Sequence, residues 1–200
     1  LSAVTDANGD YVLTVPDDPN VSPYIESGDY TAGQHYKEVD LQTFHPRGEA
    51  IENANFQTPS DPEYNGLKGI LSVESREDGR PAQCAIVTTS SARNVRGVDY
   101  RTYWENTPHG VPGATSIEYS AIEGPVYFNE FVIPDKTKTE SSEDGGIVWV
   151  EVPAGTYRIT GSNPNTRFAS FLATCAPGRI VNANPPWGMY ELAPGEEPLA

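Results

Sequence analysis

Residues 147–160 read IVWVEVPAGTYRIT, and this stretch decides the fold class. The runs on either side of Pro153, Ala154 and Gly155 are rich in β-branched and aromatic residues, which favour extended backbone. Pro and Gly interrupt both runs at one point, as expected where a strand ends and the chain turns. The stretch therefore predicts a strand over residues 147–152, a turn, and a second strand over residues 156–160.

The composition of the whole chain extends this prediction. The 200 residues include 18 Gly, 18 Pro, 11 Tyr and one Met, and 37% are hydrophobic. Many turn formers and few long helix formers indicate short strands joined by many turns. An all-β chain is predicted, with enough apolar residues for a sandwich core.

The charge balance excludes some classes of partner. Thirteen Lys and Arg against 28 Asp and Glu give a formal net charge of −15. Such a surface repels phosphate backbones and anionic lipid, so neither nucleic acid nor a membrane surface is an expected partner. No apolar run is long enough to span a bilayer. The start at Leu1, without signal-peptide features, indicates that any targeting segment was removed or was never present.

Turn signals divide the chain into two segments and a tail. The first segment, residues 1–61, contains a turn at 6–10 and predicted strands at 11–15, 35–44 and 54–58. Residues 59–62 read as a Pro-containing linker. The second segment, residues 62–192, contains predicted strands at 67–73, 84–88, 127–133 and 167–175. Its long stretch 90–125 is either an elaborated binding loop or carries small strands of its own. Residues 193–200 form an acidic tail.

Two motifs resemble those of transthyretin-like sandwiches of the carboxypeptidase regulatory type. They are TDANGDY at residues 5–11 and VPAGTYRI at residues 152–159, and the second segment also carries the family's opening pattern in GILSV (69–73) and DGRPAQCAIV (78–87). The resemblance implies two consecutive β-sandwich modules. It says little about function, because such modules serve many roles.

The first of these modules looks incomplete. In the family, the TDANGDY-type turn follows two or three strands, but here only four residues precede it. A sandwich without its first strands exposes an apolar face and unpaired strand edges. We expect another chain or the second segment to supply the complement, and the short linker favours a strand from a neighbouring copy.

The two cysteines, Cys84 and Cys175, are too few for a disulfide scaffold or a zinc site. One bridge between them is predicted, in keeping with an acidic, Lys-poor surface of extracellular type. Two unpaired buried thiols are the alternative.

The residues that could carry chemistry form no catalytic or metal motif. Asp6, Asn8 and Asp10 have the spacing of half a calcium loop, but a plain turn accounts for them. The histidines are far apart, and the chain has no Gly-x-Ser-x-Gly elbow. Pairs of carboxylates are expected by chance in so acidic a chain. No catalytic residue, metal or cofactor is therefore predicted; the residues weighed were His35, His45, His109, Glu123, Glu130, Glu143 and Asp144.

Aromatic side chains in Pro- and Gly-rich loops are the predicted binding residues. They are Tyr100, Tyr103, Trp104, Trp187 and Tyr190. Flat rings on rigid loops can stack on sugars or on a partner protein. The alternative is that Trp187 and Tyr190 close one end of the sandwich. Asn20 begins an N-glycosylation sequon, which matters only in a host that glycosylates secreted proteins.

The sequence thus predicts a non-enzymatic, extracellular or cell-surface protein. Its expected role is that of a subunit of a surface fibre, adhesin or other assembly completed by strand exchange, with further copies of itself or another surface protein as partner. The alternative is a carbohydrate-binding or accessory module of a secreted hydrolase, with glycans as ligands.

Overall fold

The computed structural model describes residues 1–26, 35–105 and 108–198, and for Tyr100 and Trp104 it describes the backbone only. Most of the regular structure is β, in two sheets, so the predicted all-β class is confirmed. The strands are β1 (Cys84–Thr89), β2 (Thr115–Tyr119), β3 (Val126–Phe128), β4 (Pro134–Asp135), β5 (Gly146–Val152), β6 (Gly155–Ser162), β7 (Phe171–Cys175) and β8 (Ile180–Ala183). The helices are α1 (Asp61–Leu71), α2 (Tyr100–Glu105) and a 3-10 turn (Arg93–Val95).

The two sheets pack face to face around the main core. One sheet has the strand order β4-β3-β5-β1-β8, in which only β1 and β8 run parallel, and the other has the order β2-β6-β7. Trp149, Ile86 and Ile159 are completely buried between them. The indole N–H of Trp149 donates to Glu118 Oε1 at 3.1 Å, so its one polar atom is satisfied.

The motif at residues 147–160 forms the predicted strand, turn and strand. Its two strands, β5 and β6, belong to different sheets, so the turn carries the chain across the sandwich. The predicted disulfide is also confirmed: Cys84 and Cys175 are bridged, with Cα atoms 5.6 Å apart. Because β1 and β7 lie in opposite sheets, the bridge fastens the two sheets to each other.

Helix α1 replaces both the predicted linker at 59–62 and the predicted strand at 67–73. Ser60 caps the helix, and its N–H donates to Glu63 Oε2 at 2.8 Å in a capping box. Leu67 and Leu71 pack on the outer face of the five-stranded sheet, against Phe128 and Val148. Their spacing is helical, so the strand predicted from the alternation of Leu67, Gly69, Leu71 and Val73 is wrong.

The structure also decides two further predictions in the second segment, for the stretch 90–125 and for the strand at 127–133. The stretch 90–125 contains β2, an edge strand of the second sheet, and therefore carries regular structure of its own. The predicted strand at 127–133 ends early, at Phe128. Asn129 Oδ1 there accepts the N–H groups of Phe131 and Ile133, and the side chain holds the chain in a turn before β4.

The first segment lies along the edges of the sandwich. Asp40 N donates to Ile180 O and Asn182 N donates to Asp40 O, both at 2.8 Å, so this residue extends the sheet beside β8. Thr43 N donates to Leu172 O at 2.7 Å, which attaches the same stretch to β7. The predicted strand at 35–44 is thus a line of isolated bridges, and its contacts cross from one sheet to the other.

The predicted strands at 11–15 and 54–58 are not paired. The turn before the first of them forms as predicted, with Gly9 N donating to Asp6 O at 3.1 Å. Tyr11, Leu13 and Val15 are half-buried and alternate with exposed Val12 and Thr14, which is the side-chain pattern of a strand. Within the described part of the chain, however, residues 11–15 make no backbone hydrogen bond. The backbone N–H and C=O groups of these residues are therefore available to pair with another strand.

Candidate functional site

The open backbone of residues 11–15 forms one wall of a groove with a volume of about 630 Å³. Residues 49–55 form the opposite wall, and Val21, Pro23 and Phe44 lie between the two. We call this the strand groove. Its floor is held in place because Val21 and Phe44 exchange two backbone hydrogen bonds of 2.8 Å.

Side chains, rather than backbone ladders, connect the two walls. The Tyr11 hydroxyl donates to the Ala54 carbonyl, and the Tyr11 ring contacts Phe56 with centroids 5.6 Å apart. Burial raises the pKa of the Tyr11 phenol above its ordinary value of 10.0. No backbone hydrogen bond joins residues 11–15 to residues 49–55. The backbone groups of residues 11–15 are available for strand pairing, whereas the carbonyls of Glu52, Asn53 and Ala54 already accept hydrogen bonds.

The rim of the strand groove is acidic. Asp10, Asp17, Glu49 and Glu52 are among its lining residues, and none of the described lining residues is a Lys or an Arg. No ion pair neutralises these four carboxylates within the described ranges.

A second cavity, of about 310 Å³, brings together two of the predicted binding residues, Trp187 and Tyr190. We call it the Trp187 cleft. Ala50, Glu52 and Asn53 line it as well as the strand groove, so the wall 49–55 separates the two cavities. Trp187 is half-buried, whereas Tyr190 is buried and only 3% exposed.

The loop that presents Trp187 is held rigidly by its neighbours. Trp187 N donates to Asn184 O at 3.2 Å, and Gly188 N donates to Gln42 Oε1 at 2.7 Å. Gly188 has a φ of 76°, and a Cβ there would lie 1.9 Å from Ala183 O. Only glycine fits this position, so the Pro-Pro-Trp-Gly sequence orients the indole.

Trp187 also contacts the first segment. Its indole N–H donates to Glu52 O at 2.9 Å, and its ring lies edge-on to Phe44. On the other side of the cleft, the Arg96 guanidinium lies over the Tyr190 ring, 4.3 Å from its centroid, and pairs with Glu196 of the predicted tail. Nothing local in the sequence indicates that Arg96, Glu52 and Asn53 line a cavity with Trp187.

The remaining predicted binding residues are placed differently. Tyr103 is buried, with its ring 4.6 Å from that of His109, and it does not line the Trp187 cleft. The side chains of Tyr100 and Trp104 lie outside what the structure describes. Trp187 and Tyr190 are therefore the two members of the set that the described structure brings together.

A third cavity, about 290 Å³, is lined by ion-paired side chains. Lys37 pairs with Asp61 at 2.8 Å and Arg80 with Glu38. Beside it, Arg179 pairs with Asp40 at 3.1 Å, but burial still raises the pKa of the Asp40 carboxyl. The Arg80–Glu38 and Arg179–Asp40 pairs join the first segment to the second segment.

Three of the groups considered for catalysis or metal binding are engaged in local structure, namely Asp6, His109 and Asp144. His109 Nε2 lies 3.4 Å from Asp144 Oδ1, and both side chains are buried. Asp6 Oδ1 accepts hydrogen bonds from the N–H groups of Asn8 and Asp10. The spacing of these three residues is therefore that of a turn. Among residues 1–26, 35–105 and 108–198, no group of three or more His, Cys, Asp or Glu side chains could hold a metal ion.

Comparison with known proteins adds no relative. No family model matches the chain, and no curated protein or solved structure matches it either. In the described ranges, no helix is long and apolar enough to cross a membrane.

Proposed function

We propose that this chain is a non-enzymatic interaction subunit of an extracellular assembly, and that it receives an extended strand of another polypeptide in the strand groove. The observation that carries the proposal is the open backbone of residues 11–15, which faces residues 49–55 without a ladder. Exposed strand edges accept further strands readily, and main-chain hydrogen bonds supply the affinity.

The alternation of side chains along residues 11–15 supports this role. Tyr11, Leu13 and Val15 turn towards the molecule, while Val12 is 88% exposed. A strand added beside them would cover an apolar side chain that now lies in water. The transthyretin-like resemblance, with an incomplete first module, is part of the same proposal.

The disulfide and the charge support an extracellular site of action. A bridge between Cys84 and Cys175 is stable in an oxidising compartment, and structural disulfides are rare in the cytosol. The net charge of −15 keeps an exposed surface soluble. Secretion, adhesion and assembly into a fibre all belong to the proposal.

A photo-crosslinking experiment tests it. A benzoylphenylalanine is placed at Val12 in the groove wall, and in a control chain at Tyr119, which is exposed on β2. After irradiation on the producing cells, we expect position 12 to give one defined adduct and position 119 to give none. Peptide mapping of the adduct should locate an extended segment. Equal diffuse labelling from both positions would contradict the proposal.

The Trp187 cleft favours a second candidate function, that of a carbohydrate-binding module. A half-buried indole with Arg96, Glu52 and Asn53 nearby offers both a stacking face and polar groups for hydroxyls. Affinity electrophoresis on a panel of polysaccharides tests it. Retardation that Trp187→Phe weakens, with unchanged folding, would support this role, and no retardation on any polysaccharide would exclude it for the panel.

A further inference from the structure

The charged residues that line the strand groove indicate the chemistry of the segment that would bind there. Asp10, Asp17, Glu49 and Glu52 are among the residues that line the groove, and the Asp17 carboxylate accepts the Gly48 N–H at 3.1 Å, next to Glu49 in the chain. A guest strand would therefore lie close to several carboxylates. The described lining contains no Lys or Arg, and no ion pair in the described ranges involves these four acids; the exposed Arg47, next to Pro46 in the chain, is outside the lining.

The interior of the groove is apolar. Leu13, Val15, Val21 and Phe44 line it, and Phe44 is only 2% exposed. Every second side chain of a guest strand faces such an interior, because side chains alternate with a period of two. Main-chain pairing to residues 11–15 would satisfy their open N–H and C=O groups.

From this combination we infer that the occupant of the strand groove is an extended, basic segment of a different protein, with apolar residues at alternate positions and Lys or Arg among the others. This inference rests on the proposed strand-accepting function and names the chemistry of the partner. The Lys or Arg side chains pair with the acidic rim, and the apolar side chains enter the groove.

A second copy of this chain fits the groove less well. The exposed apolar stretches that a copy could offer include residues 1–5, 115–119 and 131–133, and none of these contains a Lys or an Arg. Each copy also carries a net charge of −15, so the approach of one copy to another is repelled. A basic partner is attracted by the same field, and its association is faster at low salt.

The test uses the full chain with its disulfide intact and a displayed library of random peptides. We expect the selected peptides to alternate apolar residues and to carry Lys or Arg at other positions. Leu13→Trp, which fills the groove, should abolish their binding, whereas Ile117→Trp on β2 should not. Near-ultraviolet circular dichroism and thermal unfolding of each variant establish that it is folded.

Charge is tested separately with neutral replacements of the same shape. The variant with Asp10→Asn, Asp17→Asn, Glu49→Gln and Glu52→Gln should bind a selected peptide about tenfold more weakly, with a flatter salt dependence. The control carries the same number of neutral replacements at exposed carboxylates away from the groove, namely Glu77→Gln, Glu123→Gln, Glu130→Gln and Glu140→Gln. It should bind within about twofold of the unaltered chain.

Each outcome decides one of the two claims. Selected peptides without basic residues, whose binding depends on Leu13 but not on the four carboxylates, would overturn the inference and leave the strand-accepting function in place. Self-association that Leu13→Trp abolishes, measured by light scattering, would likewise replace the basic partner with a second copy. If no peptide binds in a Leu13-dependent way, and the chain does not self-associate, both the inference and the proposed function fail.

Discussion

The ring of Trp187 lies edge-on to the ring of Phe44, with centroids 5.2 Å apart and planes at 85°. Phe44 also lines the strand groove, whereas Trp187 lines the cleft on the other side of residues 49–55. One aromatic pair therefore supports both cavities. It also links the first segment to a loop near the end of the second segment, so the two segments depend on each other for their packing.

Truncating Trp187 is expected to destabilise the protein as well as open the cleft. Trp187→Ala removes the contact with Phe44 and the hydrogen bond to Glu52 O, and we expect a loss of about 2 kcal/mol in the free energy of unfolding. Trp187→Phe keeps most of the contact and should cost about 1 kcal/mol. Urea unfolding of the three chains measures the difference. Equal unfolding free energies for all three chains would mean that the indole does not contribute to stability.

Gly188 provides a sharper test of the loop. In Gly188→Ala the new Cβ meets the Ala183 carbonyl, so we expect a loss of at least about 2 kcal/mol. Gly195→Ala is the matched control, because Gly195 has a similar φ of 77° and no described atom within 4 Å of the Cβ position. Its cost should be about 1 kcal/mol, from the backbone alone. Equal losses in the two variants would argue against the close contact.

Removing the disulfide should cost more than any of these changes. Cys84 and Cys175 are separated by 91 residues, and in the chain-entropy model closing a loop of that size stabilises by about 4 to 5 kcal/mol. We expect the double variant Cys84→Ala, Cys175→Ala to lose about that amount in urea unfolding. A loss below about 1 kcal/mol would mean that other contacts already hold β1 and β7 together.

The capping box of α1 makes part of the stability depend on pH. Ser60→Ala should cost about 1 kcal/mol at neutral pH, whereas Thr139→Ala, on an exposed loop, should cost little. Hydrogen bonds from the Ser60 side chain and backbone hold the pKa of Glu63 below its ordinary value of 4.5. The ionised form is therefore favoured in the folded state, and its contribution is present above pH 4.5 and lost in acid.

That pH dependence has a direct measurement. The difference in unfolding free energy between the unaltered chain and Glu63→Gln should shrink as the pH falls through 4.5 and the lower folded-state pKa. A difference that grows as the pH falls would contradict the assignment of the capping box.

The sequence predicted the elements that a short motif or a unique residue pair indicates. The motif at residues 147–160 forms β5 and β6, and the cysteine pair forms the bridge. The sequence does not predict helix α1, because Gly69 and Val73 complete a period of two and because the capping residue Ser60 lies within the Pro-containing stretch 59–62. Periodicity alone does not separate these cases over so few residues.

The candidate site was predictable only in part. Trp187 stood out because a large aromatic lies among Pro and Gly residues, but its contacts with Phe44 and Glu52 come from residues far away in the chain. Similarly, the period-two pattern of residues 11–15 predicts a strand, but only the alternation of side-chain burial is present and no strand forms. These residues form no ladder because of the position that residues 49–55 take in the folded chain. A local sequence pattern does not predict this position.

Amide hydrogen exchange of residues 12–15 tests the central claim most directly. In the isolated chain we expect these amides to exchange rapidly, while Ile86 and Val87 in β1, which lies inside the five-stranded sheet, stay protected. When a saturating basic peptide of alternating apolar residues is added, exchange at residues 12–15 should slow, with β1 unchanged. Amides at 12–15 that are already protected in the isolated monomer, or that the bound peptide leaves unprotected, would contradict the claim that the groove accepts a strand.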